Sequence, residues 1–532
     1  MRRVSSFLAA ALLLAPAVAV AQFPGMQGPP GPAFTVDNPT IRRIYSLGMD
    51  SSQTYRLAQV LLDSIGPRLV GSPSYQSAGD WAVNTYRSWG IAARQERYGT
   101  WLGWVRGRSH LDLVAPRVRS LEGTMLAFSP GTGGRPVRGE VVVLPDLADS
   151  AAFQAWLPQA RGRYVAISFP EPTCRPDSAW QSFALPTTWT RLRDERTAAR
   201  TAWAQRITRT GTNQRTLPGR LETAGALGVV SSDWSGGYGT NRIFNAYTQR
   251  VPTVALSCED YGLVARLAQF NQHPQIEVVA ESQFTGQQPT FNVVAEIPGA
   301  QLPNEYILLS AHFDSWDGGS GATDDATGTV IMMEAMRILR LVYPSPRRTI
   351  IAGHWNSEEQ GLNGSRAFAA DHPNIVQGMQ ASFNQDNGTG RVGSTSAVGL
   401  VNASGNLARW LSRVPSDLIR NLQFGMPGMP SGGGTDNASF SCAGAPAFGI
   451  GSTPWDYFQY TWHTGRDTFD KLSFDDIKIN ATLVAILTYL ASEDQEQVSR
   501  ERRGVLPPGR DGQPGVWPAC GQPMRSGPAN PQ

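Results

Sequence analysis

Lysine is nearly absent from this 532-residue chain: of 46 basic side chains only Lys471 and Lys478 are lysines. The phosphate loop of a nucleotide triphosphatase needs Gly-Lys-Ser/Thr, so that class is excluded. An excess of one charge is lacking too, since 46 basic residues face 43 acidic ones, and near neutrality argues against a nucleic-acid binder. Cysteine is sparse. Cys174, Cys258, Cys442 and Cys520 are too dispersed for a zinc ribbon, and in an oxidising compartment they allow two bridges in three connectivities. Histidine is scarce as well, at six residues, and any metal or acid–base chemistry has to be made with those. Neither a Gly-x-Ser-x-Gly elbow nor a His-Glu-x-x-His helix occurs, which disfavours serine hydrolases and gluzincins.

Long apolar runs are missing beyond the start of the chain. Arg2 and Arg3 precede an apolar run from Phe7 to Val20, too short for the roughly 20 residues that span a bilayer. Ala19-Val20-Ala21 supplies the small-x-small pattern of a cleavage site, so residues 1–21 read as a secretory signal. Without a cysteine at the cut there is no lipid anchor to expect, and no later segment reads as membrane-spanning. The expected product is secreted or periplasmic.

What is present is enough for a large core: 41% hydrophobic residues, with 15 Trp, 14 Tyr and 20 Phe. Residues 22–39 and 503–532 are rich in Pro and Gly and lack apolar periodicity, so both are expected to be flexible or draped over the surface. From Ile41 to about Ala93 the pattern is helical, broken by Gly66-Pro67-Arg68-Leu69-Val70-Gly71-Ser72-Pro73. Short β-branched runs then recur, GEVVVL at 139, RYVAIS at 163, LGVVSS at 227, VPTVALS at 251 and IEVVAE at 276, with weak helical signals between them. Residues 123–287 therefore read as a separate, mostly β insert dividing a first domain into 40–122 and 288–502.

After Asn292 the alternation changes. YILLSAH (306–312) and RTIIAGHW (348–355) read as buried strands, with a helix from Asp325 to Val342 between them and another starting at Asn363. Strand, helix, strand at this spacing implies an α/β fold with a largely parallel sheet sandwiched by helices, and a ligand crevice at the strand ends. His312-Phe313-Asp314-Ser315-Trp316-Asp317 follows the first strand, and Asp324-Asp325 opens the helix. Ser357-Glu358-Glu359 follows the second. Carboxylates at that density repel one another, and a bound multivalent cation is the economical explanation. Taken singly, a Glu pair is usually a solvated turn and an Asp pair a helix cap; together at successive strand ends they point to a site. The loop GGSGATD places Asp324 where a dinucleotide fingerprint needs glycine, so that reading is discarded.

The runs HFDSWDGGSGATDDATG, NSEEQGLNGS, SFNQDNGTG and YTWHTGRDTFDKL, with GPRLVGSPSYQSAGDWA upstream, resemble the two-zinc peptidases of family M28. The texture is that of the carboxypeptidase Q-like and bacterial aminopeptidase branches, which carry a protease-associated domain inside the catalytic one. The resemblance implies two Zn²⁺, one held by His312 and Asp386, the other by Glu359 and His463, with Asp324 bridging. It implies Glu358 as general base and Asp314 as the carboxylate that orients His312, and leaves Asp436 structural. Two metals hold a hydroxide at neutral pH and polarise the scissile carbonyl, while a glutamate moves the proton to the leaving amine. A tyrosine that several relatives place beside the last histidine is here Trp462, with Tyr457 and Tyr460 as substitutes. His354 reads as packed core or as a support behind the site, and His110, His273 and His372 as surface residues.

The expected activity is that of a secreted exopeptidase acting on peptides, an aminopeptidase first and a carboxypeptidase Q-like dipeptidase or carboxypeptidase as the alternative. A non-catalytic binding ectodomain predicts missing ligands, and none is missing. A glutaminyl-cyclase-like acyltransferase predicts a single zinc. The oligomeric state stays open, a homodimer included.

Overall fold

The computed structural model describes residues 37–508 and 512–528. The leader expected at 1–21 lies outside the described residues. Helix Pro39–Asp50 starts inside the stretch expected to be flexible: Asn38 accepts the Thr40 and Ile41 N–H groups, and Pro39 occupies a first-turn position where no N–H is needed.

Among the described residues fourteen strands form one continuous sheet. In chain order they are β1 (Ala92–Ala115), β2 (Arg119–Ser120), β3 (Gly123–Met125), β4 (Val137–Val143), β5 (Tyr164–Ala166), β6 (Gly228–Ser231) and β7 (Thr253–Leu256), then β8 (Gln275–Ile297), β9 (Leu302–His312), β10 (Arg348–Trp355), β11 (Met379–Asn384), β12 (Val392–Ser396), β13 (Gln423–Gly425) and β14 (Ala447–Ser452). The order β13-β12-β14-β11-β9-β10-β8 forms the larger half, parallel through β14, β11, β9 and β10. This is the mixed, largely parallel sheet that the strand–helix–strand pattern predicts. Every residue of β10 is buried, as a strand covered on both faces requires. Alternation sorts the side chains. Ile307, Leu309 and Ala311 face a core built with helices Thr327–Val342 and Phe474–Glu493, whereas Tyr306 and Leu308 face Trp355, Phe368 and Phe440 on the opposite side.

The long antiparallel pair β1 and β8 carries the sheet on to β4, β5, β6 and β7, which are mutually parallel, and to β3 at the edge. All five β-branched runs of this segment are strands. It is also more helical than the sequence suggests: Pro186–Arg209 is a 24-residue helix, although it buries only Arg196, Trp203 and Ile207. So thin an apolar stripe gives little periodicity to read. Trp104, Leu111 and Leu113 of β1 join the core of this segment, so its packing begins before residue 123.

Two disulfides, Cys174–Cys258 and Cys442–Cys520, select one of the three connectivities. The second pins the described part of the C-terminal tail, which lies along β1: the Thr100 N–H donates to the Arg525 carbonyl at 2.8 Å and the Gly527 N–H to the Thr100 carbonyl at 2.8 Å. A Cβ at Gly99 would sit 2.0 Å from the Arg525 carbonyl oxygen, so glycine is what lets the tail approach. The tail is draped, as expected, and it is held. Among the described residues no helix is long and apolar enough to cross a membrane.

Candidate active site

His312 ends β9, directly opposite Trp355 at the end of β10, and Asp386 comes two residues after β11 ends. Parallel pairing therefore brings three loops to one edge. His312 Nδ1 donates to the Asp314 backbone carbonyl at 2.9 Å, leaving Nε2 aimed at Asp324 Oδ1 (3.2 Å) and Asp386 Oδ1 (3.3 Å). His463 Nε2 lies 3.2 Å from Asp324 Oδ2 and 2.9 Å from Glu359 Oε2. Asp324 thus presents one carboxylate oxygen to each histidine. The five residues singled out as ligands from sequence meet at one place.

Asp325 also belongs to the cluster. Asp324 and Asp325 are joined by a cis peptide, and Asp325 groups with His312 and Asp386 while Asp324 groups with Glu359 and His463. The helix begins at Thr327, later than expected, because Asp325 stays outside it and accepts the Gly328 N–H at 2.9 Å. A side chain at Gly328 would run into Asp325 and the Gln385 carbonyl, which fixes glycine there.

Asp314 does less for His312 by its side chain than expected. Its carboxylate stands 3.7 Å from His312 Nδ1, and Oδ1 accepts the Glu358 N–H at 3.1 Å instead. The carboxylate therefore fixes the loop bearing Glu358 and Glu359, and the backbone carbonyl sets the histidine tautomer. Ser357, at φ +55, makes the sharp turn after β10, and Tyr98 of β1 donates to Ser357 Oγ at 3.0 Å.

The electrostatics follow from crowding. Burial alone would lower the His463 pKa, but Glu359 and Asp324 raise it to about 10. His312 behaves alike, raised against burial by Asp386, Asp314 and Asp324. Burial raises Glu359 to about 7, with His463 opposing. Removal from water pushes Glu358 well up; His312 pulls it back, and Asp386, Asp436 and Glu359 push it further. Asp324 alone in the cluster is lowered, because hydrogen bonds from both histidines outweigh its burial. Buried oxygens of Asp325 and Glu359 find no hydrogen-bond donor. Two imidazoles cannot satisfy this many carboxylates, and the donor set of imidazole and carboxylate fits a divalent cation.

Residues 292–488 match the model of peptidase family M28. This part of the chain is an M28 peptidase region. Carboxypeptidase Q of Homo sapiens is 23% identical over 454 residues, 85% of this chain and 88% of that protein. Leucine aminopeptidase 1 of Coccidioides posadasii is 30% identical over 216 residues, 37% of this chain and 55% of that one. Among solved structures, a peptidase M28 precursor from Shewanella amazonensis shares the fold at TM-score 0.65 and 21% identity, covering 86% of this chain and 97% of that one. An aminopeptidase from Aneurinibacillus sp. strain AM-1 matches at TM-score 0.52 and 20% identity, with the same coverage of each chain.

Two residues of the peptidase that frame the cluster were inside quoted motifs but not singled out. Arg68 is fully buried and donates to the carbonyls of Phe313, Gly66, Ser320 and Gly321, tying the GPRL loop to the loop between His312 and Asp324. Burial lowers its pKa to about 10, with Asp314, Asp467 and Asp325 opposing. Asp467, four residues after His463, accepts N–H groups of Thr323 (2.8 Å) and Asp324 (3.1 Å). Spacing from a ligand was the available signal for Asp467; for Arg68 there was only the motif.

Trp462 stacks on His463 with ring centroids 4.0 Å apart. Tyr457 is buried, and burial first, then Asp324 and Asp386, hold its pKa well above the ordinary value. Tyr460 packs instead beside Gly237. His354 is core, bonded to the Tyr86 hydroxyl at 2.8 Å. His110 and His273 are exposed as expected; His372 is half-buried against Phe368 and pairs with Glu96 at 2.5 Å.

Proposed function

We propose that the protein is an exported two-zinc aminopeptidase. The observation that carries this is the sharing of Asp324 between two histidine–carboxylate groups. In this reading His312 and Asp386 would hold one ion, Glu359 and His463 the other, Asp324 would serve both, and Asp325 would support the first. Zinc, when bound, supplies an acidified water and polarises the carbonyl of the scissile bond. Glu358 takes the proton of the attacking water and delivers it to the leaving amine, work worth roughly 10²- to 10⁴-fold. In this reading Tyr457 is the candidate donor to the oxyanion that develops. Residues 123–287 are read as a protease-associated insert. The two disulfides support an oxidising compartment.

The choice of terminus rests on charge. Glu358, Asp386 and Asp436 crowd the site, whereas the buried cation beside it, Arg68, spends its donors on backbone carbonyls. An acidic surround favours a free amine over a carboxylate. The match to carboxypeptidase Q across 85% of the chain favours the second reading, a carboxypeptidase or dipeptidase. Metal analysis combined with assays on free and N-blocked dipeptides separates them. About two zincs per chain and cleavage only of substrates with a free amine are expected. Cleavage of N-blocked substrates with a free carboxylate would replace the aminopeptidase by the carboxypeptidase.

A further inference from the structure

The described tail, residues 512–528, touches more than β1. The Met524 N–H donates to the buried Asn363 Oδ1 at 2.8 Å. Asn363 in turn donates through Nδ2 to the Gln360 carbonyl at 3.2 Å and through its own N–H to the Ser357 carbonyl at 3.0 Å. Gly521 lies against Arg366, where a Cβ would come within 2.6 Å of the guanidinium carbon, and Arg366 donates to the Gly361 carbonyl at 2.8 Å. Asn363 and Arg366 thus hold the turn that carries Glu358 and Glu359, and the tail stands behind both. A third line runs through β1: Arg525 pairs with Asp371 and donates to the Tyr98 carbonyl at 3.3 Å, while the Tyr98 hydroxyl donates to Ser357 Oγ.

The tail is anchored at the loop of Asp436. Cys520 is bonded to Cys442, the residue after the short helix Ala438–Ser441, and Trp517 Nε1 donates to the Cys442 carbonyl at 3.0 Å. Ser439 of that helix meets Ser365 Oγ at 2.8 Å, and Ser365 belongs to the helix that opens at Asn363. The tail therefore crosses from one loop of the site to another, covalently held at the first and hydrogen-bonded at the second. The second is the one that needs support. Glu358 and Glu359 repel each other, and Ser357 holds a left-handed torsion, so the turn is kept by what surrounds it.

We propose that the tail is a strap that positions the glutamate turn, acting through Asn363 as the positioning residue and anchored by Cys442–Cys520. This rests on the peptidase reading, in which Glu358 moves the proton and Glu359 would hold one ion. Met524→Pro removes the one N–H that reaches Asn363, at a half-exposed tail position. Cys442→Ser/Cys520→Ser removes the anchor. Both full-chain variants are compared with the wild type on a free dipeptide, well below their unfolding midpoints. A drop of roughly tenfold in kcat with KM nearly unchanged is expected, as for a misplaced catalytic group. Competition between the metal-free chain and a zinc chelator gives a readout without turnover: one ion is expected to bind roughly tenfold more weakly, and the other as in the wild type. Wild-type kcat and zinc binding in Met524→Pro overturn the strap. So does a loss of activity that follows the unfolded fraction by circular dichroism with both ions weakened alike, which would make the tail a stabiliser only. If the wild type cuts no dipeptide while one ion is loosened in the variants, the peptidase reading fails and the strap stands.

Discussion

Glu358 and Glu359 are neighbours in sequence with different duties, and the turn at Ser357 is what separates them. Glu359 reaches His463 at 2.9 Å, while Glu358 takes its place among His312, Asp386 and Asp436. Glu358→Gln is expected to keep its metal and lose about 10²- to 10⁴-fold in kcat, measured as zinc content and turnover on the same sample. Unchanged turnover would remove Glu358 from proton transfer. His354 gives a second prediction at this scale. Burial holds its pKa near 3 against an ordinary 6.5, so the native ring stays neutral where the unfolded one takes up a proton. Between about pH 6.5 and pH 3 the unfolded state binds the extra proton, and stability falls as pH falls, at roughly 1.4 kcal/mol per pH unit. His354→Gln, which keeps a polar partner for Tyr86, should remove that slope from urea unfolding curves taken between pH 6.5 and 4.5. Parallel slopes in both proteins would place the charge change elsewhere.

At the scale of elements, the site is a meeting of loops, and loops need fastening. Arg68 fastens two of them with four hydrogen bonds to carbonyls that would otherwise be buried unmade. Arg68→Met is expected to cost about 3 kcal/mol or more, and Arg68→Lys to restore only part, since an ammonium cannot span the same fork of acceptors. Urea midpoints decide this; a Met variant as stable as the wild type would show that the loops hold themselves. Strand positions were legible because β5, β6, β7 and β10 are short, buried and rich in β-branched residues, and β9 ends in an unbroken buried run from Tyr306 to His312. Helix Pro186–Arg209 was not, because charged residues line most of its circumference and only three residues are buried. The start of the helix after Asp325 was misplaced by two residues, because a capping aspartate and a first-turn aspartate look alike until the backbone is seen.

At the scale of the whole molecule, the tail closes over β1 and is bolted by Cys442–Cys520 across 78 residues. In the chain-entropy picture a loop of that size contributes about 4 kcal/mol, so a Cys442→Ser/Cys520→Ser double variant should melt earlier, and reduction of the wild type, which opens Cys174–Cys258 as well, should lower its midpoint further. A wild type indifferent to reduction would show that the bridge does not carry the tail. The sequence by itself determined the alternating strands and which histidines and carboxylates end them, because these are local: period, propensity and position along a strand. The tertiary structure decided the disulfide pairing, the entry of Asp325 into the cluster, the backbone carbonyl that orients His312, and the bond from the tail to Asn363. Each is a contact between residues far apart in the chain or a choice of backbone torsion, and neither leaves a trace in the local pattern of side chains.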